Sequence, residues 1–146
     1  MATVNIYLSF AGNCEEAFLF YKSAFGGDFT YLGRFKDAPP QEGMPPFPKE
    51  MENQLMHVSL PISAETVLMG DDTGGEWAPK LVQGNNFSIS VNTGSTEEAE
   101  RLFTALSAGG TVTMPPGKTF WSEYFSMFTD KFGVNWMVSY DPGDQK

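Results

Sequence analysis

The sequence predicts an α+β chain of two tandem βαβββ modules that form a cupped mixed sheet, with module one at about residues 3–71 and module two at about 86–141. Three observations predict it. A strand-like alternation runs straight into an amphipathic helix twice, first within residues 4–25 and again within 87–108. Glu-Glu-Ala recurs at 15–17 and 97–99, and Gly-Gly closes each helix at 26–27 and 109–110, offsets of 82 and 83 positions. Each helix is followed by three more strand-like runs separated by turn residues. Self-similarity at a nearly constant offset marks a duplicated unit.

In module one, residues 4–10 alternate and favour β-branched and aromatic types, and Ala11 and Gly12 end the strand. Asn13 is placed to cap the helix, with Glu16 three positions on as in a capping box. Ala17, Phe18, Tyr21, Ala24 and Phe25 then mark one helical face. Strands are expected at Phe29–Phe35, Gln54–Pro61 and Thr66–Met69. Between the first two, residues 36–51 hold five prolines and cannot join a ladder, so they form a loop. Residues 70–84 link the modules.

Module two repeats the scheme. Residues 87–91 form the first strand, Ser95 and Glu98 the capping pair, and Ala99, Leu102, Phe103 and Leu106 the apolar helix face. Strands follow at Thr111–Met114, Phe120–Thr129 and Asn135–Tyr140. Asp130 and Gly133 make a hairpin turn, the glycine supplying φ > 0 and the acid bonding nearby backbone.

At 146 residues the chain fits one domain, residues 1–146, and because a four-stranded module with one helix leaves a whole sheet face uncovered, the two modules are expected to pack on each other or against a second subunit. A hydrophobic content of 41% is ample for a packed core. Nine Lys and Arg against 18 Asp and Glu give a net charge of -9, which repels phosphate backbones and anionic membranes, so neither nucleic acid nor membrane is an expected partner. One cysteine, Cys14, excludes an internal disulfide and fits a reducing, cytoplasmic setting. No run approaches the roughly 18 apolar residues of a membrane span, and the first ten residues lack the pattern of an export signal.

The segments YLSFAGNCEEAFLFY and TFWSEYFSMFTDKFGVNWMV resemble the two ends of PhnB-like proteins, a branch of the vicinal oxygen chelate (glyoxalase/bleomycin resistance/dioxygenase) superfamily. The resemblance spans nearly the whole chain and rests most on residues 9–13 and 129–137. It implies a homodimer that binds small molecules in a cup. It also implies metal ligands on the first and fourth strands of each module, positions that fall near Ile6, Met69, Ser88 or Asn86, and Met137. None of these is an imidazole, carboxylate or thiolate, so no cofactor is expected; a divalent metal bound by another set stays open. Some PhnB-like relatives carry a methyltransferase label. The Gly-Gly pairs here end helices instead of opening them, so no nucleotide-type glycine turn is present.

His57 is the only histidine, and alternation puts Leu55, His57 and Ser59 on one face of their strand. It is a candidate general base or ligand contact, against the plainer reading of a hydrogen-bonded strand histidine. Glu123 is its candidate partner in an alternative enzyme reading, a lyase, isomerase or oxygenase. Tyr7, Met69, Phe87, Trp121, Phe125, Trp136 and Met137 are candidate walls of a cup for an apolar or aromatic ligand, although core packing explains several of them equally. Asp71, Asp72 and Asp130 lack the spacing of a calcium loop and are expected in turns. Cys14 sits where a helix dipole would lower its pKa, opposed by Glu15 and Glu16.

Overall fold

A computed structural model describes residues 2–39, 42–43, 47–73 and 80–142. Parts of the expected proline loop and of the link between modules, residues 40–41, 44–46 and 74–79, lie outside the described residues. The chain divides into two compact units, Met1–Val82 and Gln83–Lys146. Each has the expected βαβββ order. The first holds β1 (Ile6–Phe10), α1 (Cys14–Phe25), β2 (Tyr31–Arg34), two short 3-10 turns, β3 (Leu55–Pro61) and β4 (Val67–Asp72). The second holds β5 (Ile89–Asn92), α2 (Thr96–Ser107), β6 (Thr111–Gly117), β7 (Tyr124–Thr129) and β8 (Asn135–Tyr140).

The sheets share one topology, β1-β4-β3-β2 and β5-β8-β7-β6, in which the first strand lies parallel to the last and the others pair antiparallel. The helix after the first strand supplies the crossover a parallel pair needs. Helix α1 buries Ala17, Phe18, Tyr21 and Ala24, and the Phe18 ring meets Phe10 at 6.2 Å and Tyr21 at 5.6 Å, edge to face. Truncating a fully buried ring such as Phe18 to Ala would cost about 3–5 kcal/mol. Gly70 lets this helix approach: a Cβ there would sit 2.6 Å from Phe18 and 2.8 Å from the Leu8 carbonyl oxygen. In the second unit Phe103 of α2 packs edge-on to Phe128 of β7 at 5.6 Å.

The helix caps depart from expectation in one module only. Ser95 accepts from the Glu98 N–H at 3.0 Å, while the Glu98 carboxylate turns back to the Gly94 N–H at 2.9 Å. Asn13 makes no side-chain cap. Asp72 replaces it, one oxygen accepting from the N–H groups of Gly12 and Cys14 and the other from Leu55, all at 2.9 Å. A carboxylate offers two oxygens and full charge to the positive helix end, which an amide oxygen does not.

Asp71 and Asp72 are therefore strand residues, not turn residues, because β4 runs on past Met69 beside β1. Asp130 does occupy its turn: it bonds the N–H groups of Phe132 and Val134, and Gly133 has φ of 92°. Strand β5 starts at Ile89 instead of Phe87, and β7 at Tyr124 instead of Phe120. Strand β6 extends beyond Met114 through Pro115 and Pro116, which an edge strand tolerates.

Candidate functional site

In each sheet one face carries the helix and the other is turned away from it. Cross-strand partners share a face, so the register assigns every side chain. In the first unit Leu8, Val58 and Gly70 lie in register under α1. On the opposite face Tyr7 pairs with Met69, Met69 with Ser59, Ser59 with Tyr31, and His57 with Gly33. Asp71, two residues beyond Met69, joins this open face.

A polar chain crosses it. The Tyr7 hydroxyl donates to Asp71 Oδ2 at 3.1 Å and lies 3.4 Å from His57 Nδ1, and His57 Nε2 lies 2.9 Å from Ser59 Oγ. With its proton given to Asp71, the Tyr7 oxygen accepts from Nδ1–H, so in the neutral ring Nε2 is the bare nitrogen and accepts from Ser59. Partial burial and then the Asp71 charge and hydrogen bond push the Tyr7 phenol up to about 12, so it remains a donor at neutral pH. The rings of Tyr7 and Tyr31 stand 5.6 and 5.7 Å from the imidazole. His57 thus belongs to a hydrogen-bonded network on the face opposite α1, as its alternation indicates.

In the second unit the corresponding face carries apolar side chains at its centre, with Ser90, Asn92, Thr129, Asn135 and Ser139 among them and no charged strand residue. Met137 lies between Ser90 and Met127, Met127 pairs in turn with Met114, and Phe125 pairs with Ser139. Phe120 packs on Trp121 at 4.7 Å, and Trp121 on Phe125 at 5.5 Å.

Several residues stand elsewhere than the sequence suggests. Trp136 pairs with Ile89 and Phe128 on the α2 side, is fully buried, and donates its indole N–H to Asp130 at 2.9 Å. It is a core residue and does not line the open face, because alternation from Met137 turns it the other way. Phe87 precedes β5 and is well exposed. Glu123 precedes β7, where its carboxylate pairs with Lys118 at 3.1 Å. Buried Cys14 has its thiol pushed up, first by burial and then by the charges of Asp72, Asp71 and Glu15. That reverses the lowering expected from the helix end.

Sequence reasoning passed over Tyr31, Ser59 and Asp71 as site residues. Period-two counting from His57 and Met69 would have reached the last two; Tyr31 needed the β2–β3 register. Among the described residues no three His, Cys, Asp or Glu side chains gather to hold a metal ion. No described helix is long and apolar enough to cross a membrane.

Fold and site together define an α+β protein of two βαβββ modules, one open sheet face carrying the Asp71–Tyr7–His57–Ser59 chain and the other a cluster of rings and thioethers. The chain belongs to the Glyoxalase/Bleomycin resistance protein/Dioxygenase superfamily, whose family model matches residues 3–138. It is 30% identical over 138 residues to Protein YjdN of Escherichia coli, covering 91% of each chain. Protein PA1353 of Pseudomonas aeruginosa shares 40% of its residues and superposes with a TM-score of 0.82, over 97% of this chain and 98% of that one. A Bacillus cereus PhnB protein, described as a putative 3-demethylubiquinone-9 3-methyltransferase, shares the fold at 23% identity and a TM-score of 0.71, over 95% and 99% of the two chains.

Proposed function

We propose that this chain is a PhnB-like small-molecule-binding protein that acts as a homodimer without a divalent metal and holds an apolar or aromatic ligand against its open sheet faces. The observation that carries this reading is the composition of those faces. Tyr7, Tyr31 and Met69 in the first unit, and Trp121, Phe125, Met127 and Met137 in the second, present rings and thioethers where a purely solvated face would carry charge. Tyr7, Tyr31 and Trp121 are about half exposed, which costs free energy unless something covers them. The metal-free part rests on the donor set, since Ile6, Met69, Ser88 and Met137 offer none of the ligands common divalent ions prefer. A methyltransferase role finds no support in the glycines: Gly26, Gly27 and Gly109 take positive φ at helix ends.

Elemental analysis of untagged protein, beside His57→Ala, tests the metal-free part. No stoichiometric manganese, iron, nickel or zinc in either sample is the expected result. Near-stoichiometric metal that disappears in His57→Ala would overturn the proposal. Light scattering after gel filtration should give twice the 16.1 kDa chain mass.

A second reading, an enzyme of the lyase, isomerase or oxygenase kind, draws on one observation. The chain Asp71–Tyr7–His57–Ser59 leaves His57 Nε2 as a base whose only described partner is a displaceable hydroxyl. Glu123 adds nothing to it while it is paired with Lys118.

A further inference from the structure

Asp71 is unevenly satisfied. Its Oδ2 accepts from Tyr7, whereas Oδ1 is enclosed by protein and has no hydrogen-bond partner among the described residues. No Lys, Arg or His forms a salt bridge with Asp71 among the described residues. A desolvated carboxylate oxygen without a donor is unfavourable, and a cationic N–H relieves it best, through a charge-assisted hydrogen bond. The group lying over this carboxylate is weakly held. Tyr7 is 48% exposed, and its contacts of 3.1 Å to Asp71 and 3.4 Å to His57 are long for bonds from a hydroxyl.

The surroundings select among donors. Tyr7 and Tyr31 are each about half exposed and stand 5.6 and 5.7 Å from the His57 ring, and an aromatic face attracts a cation. An anion would meet the Asp71 charge within a chain of net charge -9. A divalent metal would find one carboxylate and one imidazole beside a phenol that keeps its proton, a thin donor set.

We propose that Asp71 recognises a protonated amine: the ligand of the first unit's open face carries an ammonium group that displaces the Tyr7 hydroxyl and donates to Asp71, while its apolar body rests on Tyr7 and Tyr31. This rests on the small-molecule-binding reading and assigns the ligand's chemical class.

Three probes of one shape test it: phenethylamine, cationic at neutral pH; phenethyl alcohol, neutral; and phenylacetate, anionic. Each is titrated into the full chain by calorimetry and by amide NMR, with Asp71→Asn and Tyr7→Phe alongside. Phenethylamine should bind at least about tenfold more tightly than the alcohol, with shifts centred on Tyr7, Tyr31 and His57. Asp71→Asn, which keeps the shape and removes the charge, should abolish most of that preference. Tyr7→Phe should strengthen amine binding, because no hydroxyl is left to displace, and it supplies the test if Asp71→Asn folds poorly. Equal binding of amine and alcohol, or an unchanged preference in Asp71→Asn, overturns the amine assignment and leaves the aromatic-ligand reading in place. Absence of binding by all three sinks both.

Discussion

One aspartate in each unit holds its local geometry. Asp72 gathers three backbone N–H groups from residues 12, 14 and 55, and Asp130 gathers two backbone groups and the Trp136 indole. Asp72→Ala strands three amides around a buried position, so chemical denaturation should show a loss of about 3 kcal/mol or more. At the same scale, the Tyr7 phenol should ionise late in an ultraviolet titration, near 12. Because the fold raises this pKa above the ordinary value of about 10, its contribution to stability is present below that value and disappears as pH rises through about 12. Asp71→Asn should bring the Tyr7 titration back toward the ordinary value. The roles of Asp71 and Asp72 were not legible in sequence, since their partners lie 17 to 64 positions away. Asp130 was legible because its backbone partners are two and four residues on.

At the scale of elements, both helices and the order of strands could be read from alternation, helical spacing and paired glycines, because those signals are local. Strand ends could not. Phe87 and Phe120 look like strand residues by composition, but ladders start where a partner strand is available, at Ile89 and Tyr124. Helix α1 is tied to β2 by a two-point ion pair, in which Arg34 meets both Glu15 oxygens at 2.8 Å. The Arg34 hydrogen bond holds the Glu15 carboxyl below the ordinary carboxylate range despite some opposing desolvation. Its contribution is complete above the unfolded value and is lost as pH falls through the folded one. Glu15 is 42% exposed, so Glu15→Gln should cost no more than about 1 kcal/mol by urea titration at pH 7 and still less near pH 3. Removing the working cap with Ser95→Ala should cost about 1 kcal/mol, whereas Asn13→Ala should be nearly neutral.

For the whole molecule, duplication explains why the fold was legible and the site only partly so. A repeat copies strand order but leaves each copy's open face to diverge, with a titratable network around His57 in one and rings and thioethers around Met127 in the other. Neither unit buries that second face with its own helix. Residues 83–146 expressed alone should therefore show poor amide dispersion and no cooperative unfolding, while the full chain unfolds sharply. The prediction is wrong if the fragment melts as sharply as the parent.

The close approach at Gly70 reaches beyond packing. With Phe18 occupying the space a Cβ would need, positions 70 and 18 are not free to vary separately. In a library of variants selected for folding, Gly70→Ala should be depleted alone and only partly recovered beside Phe18→Leu, which frees the ring's volume but leaves the Leu8 carbonyl oxygen 2.8 Å from the new Cβ. Two sites 52 positions apart in the sequence would then constrain each other's drift, with the Leu8 backbone holding position 70 to glycine more firmly than the ring does.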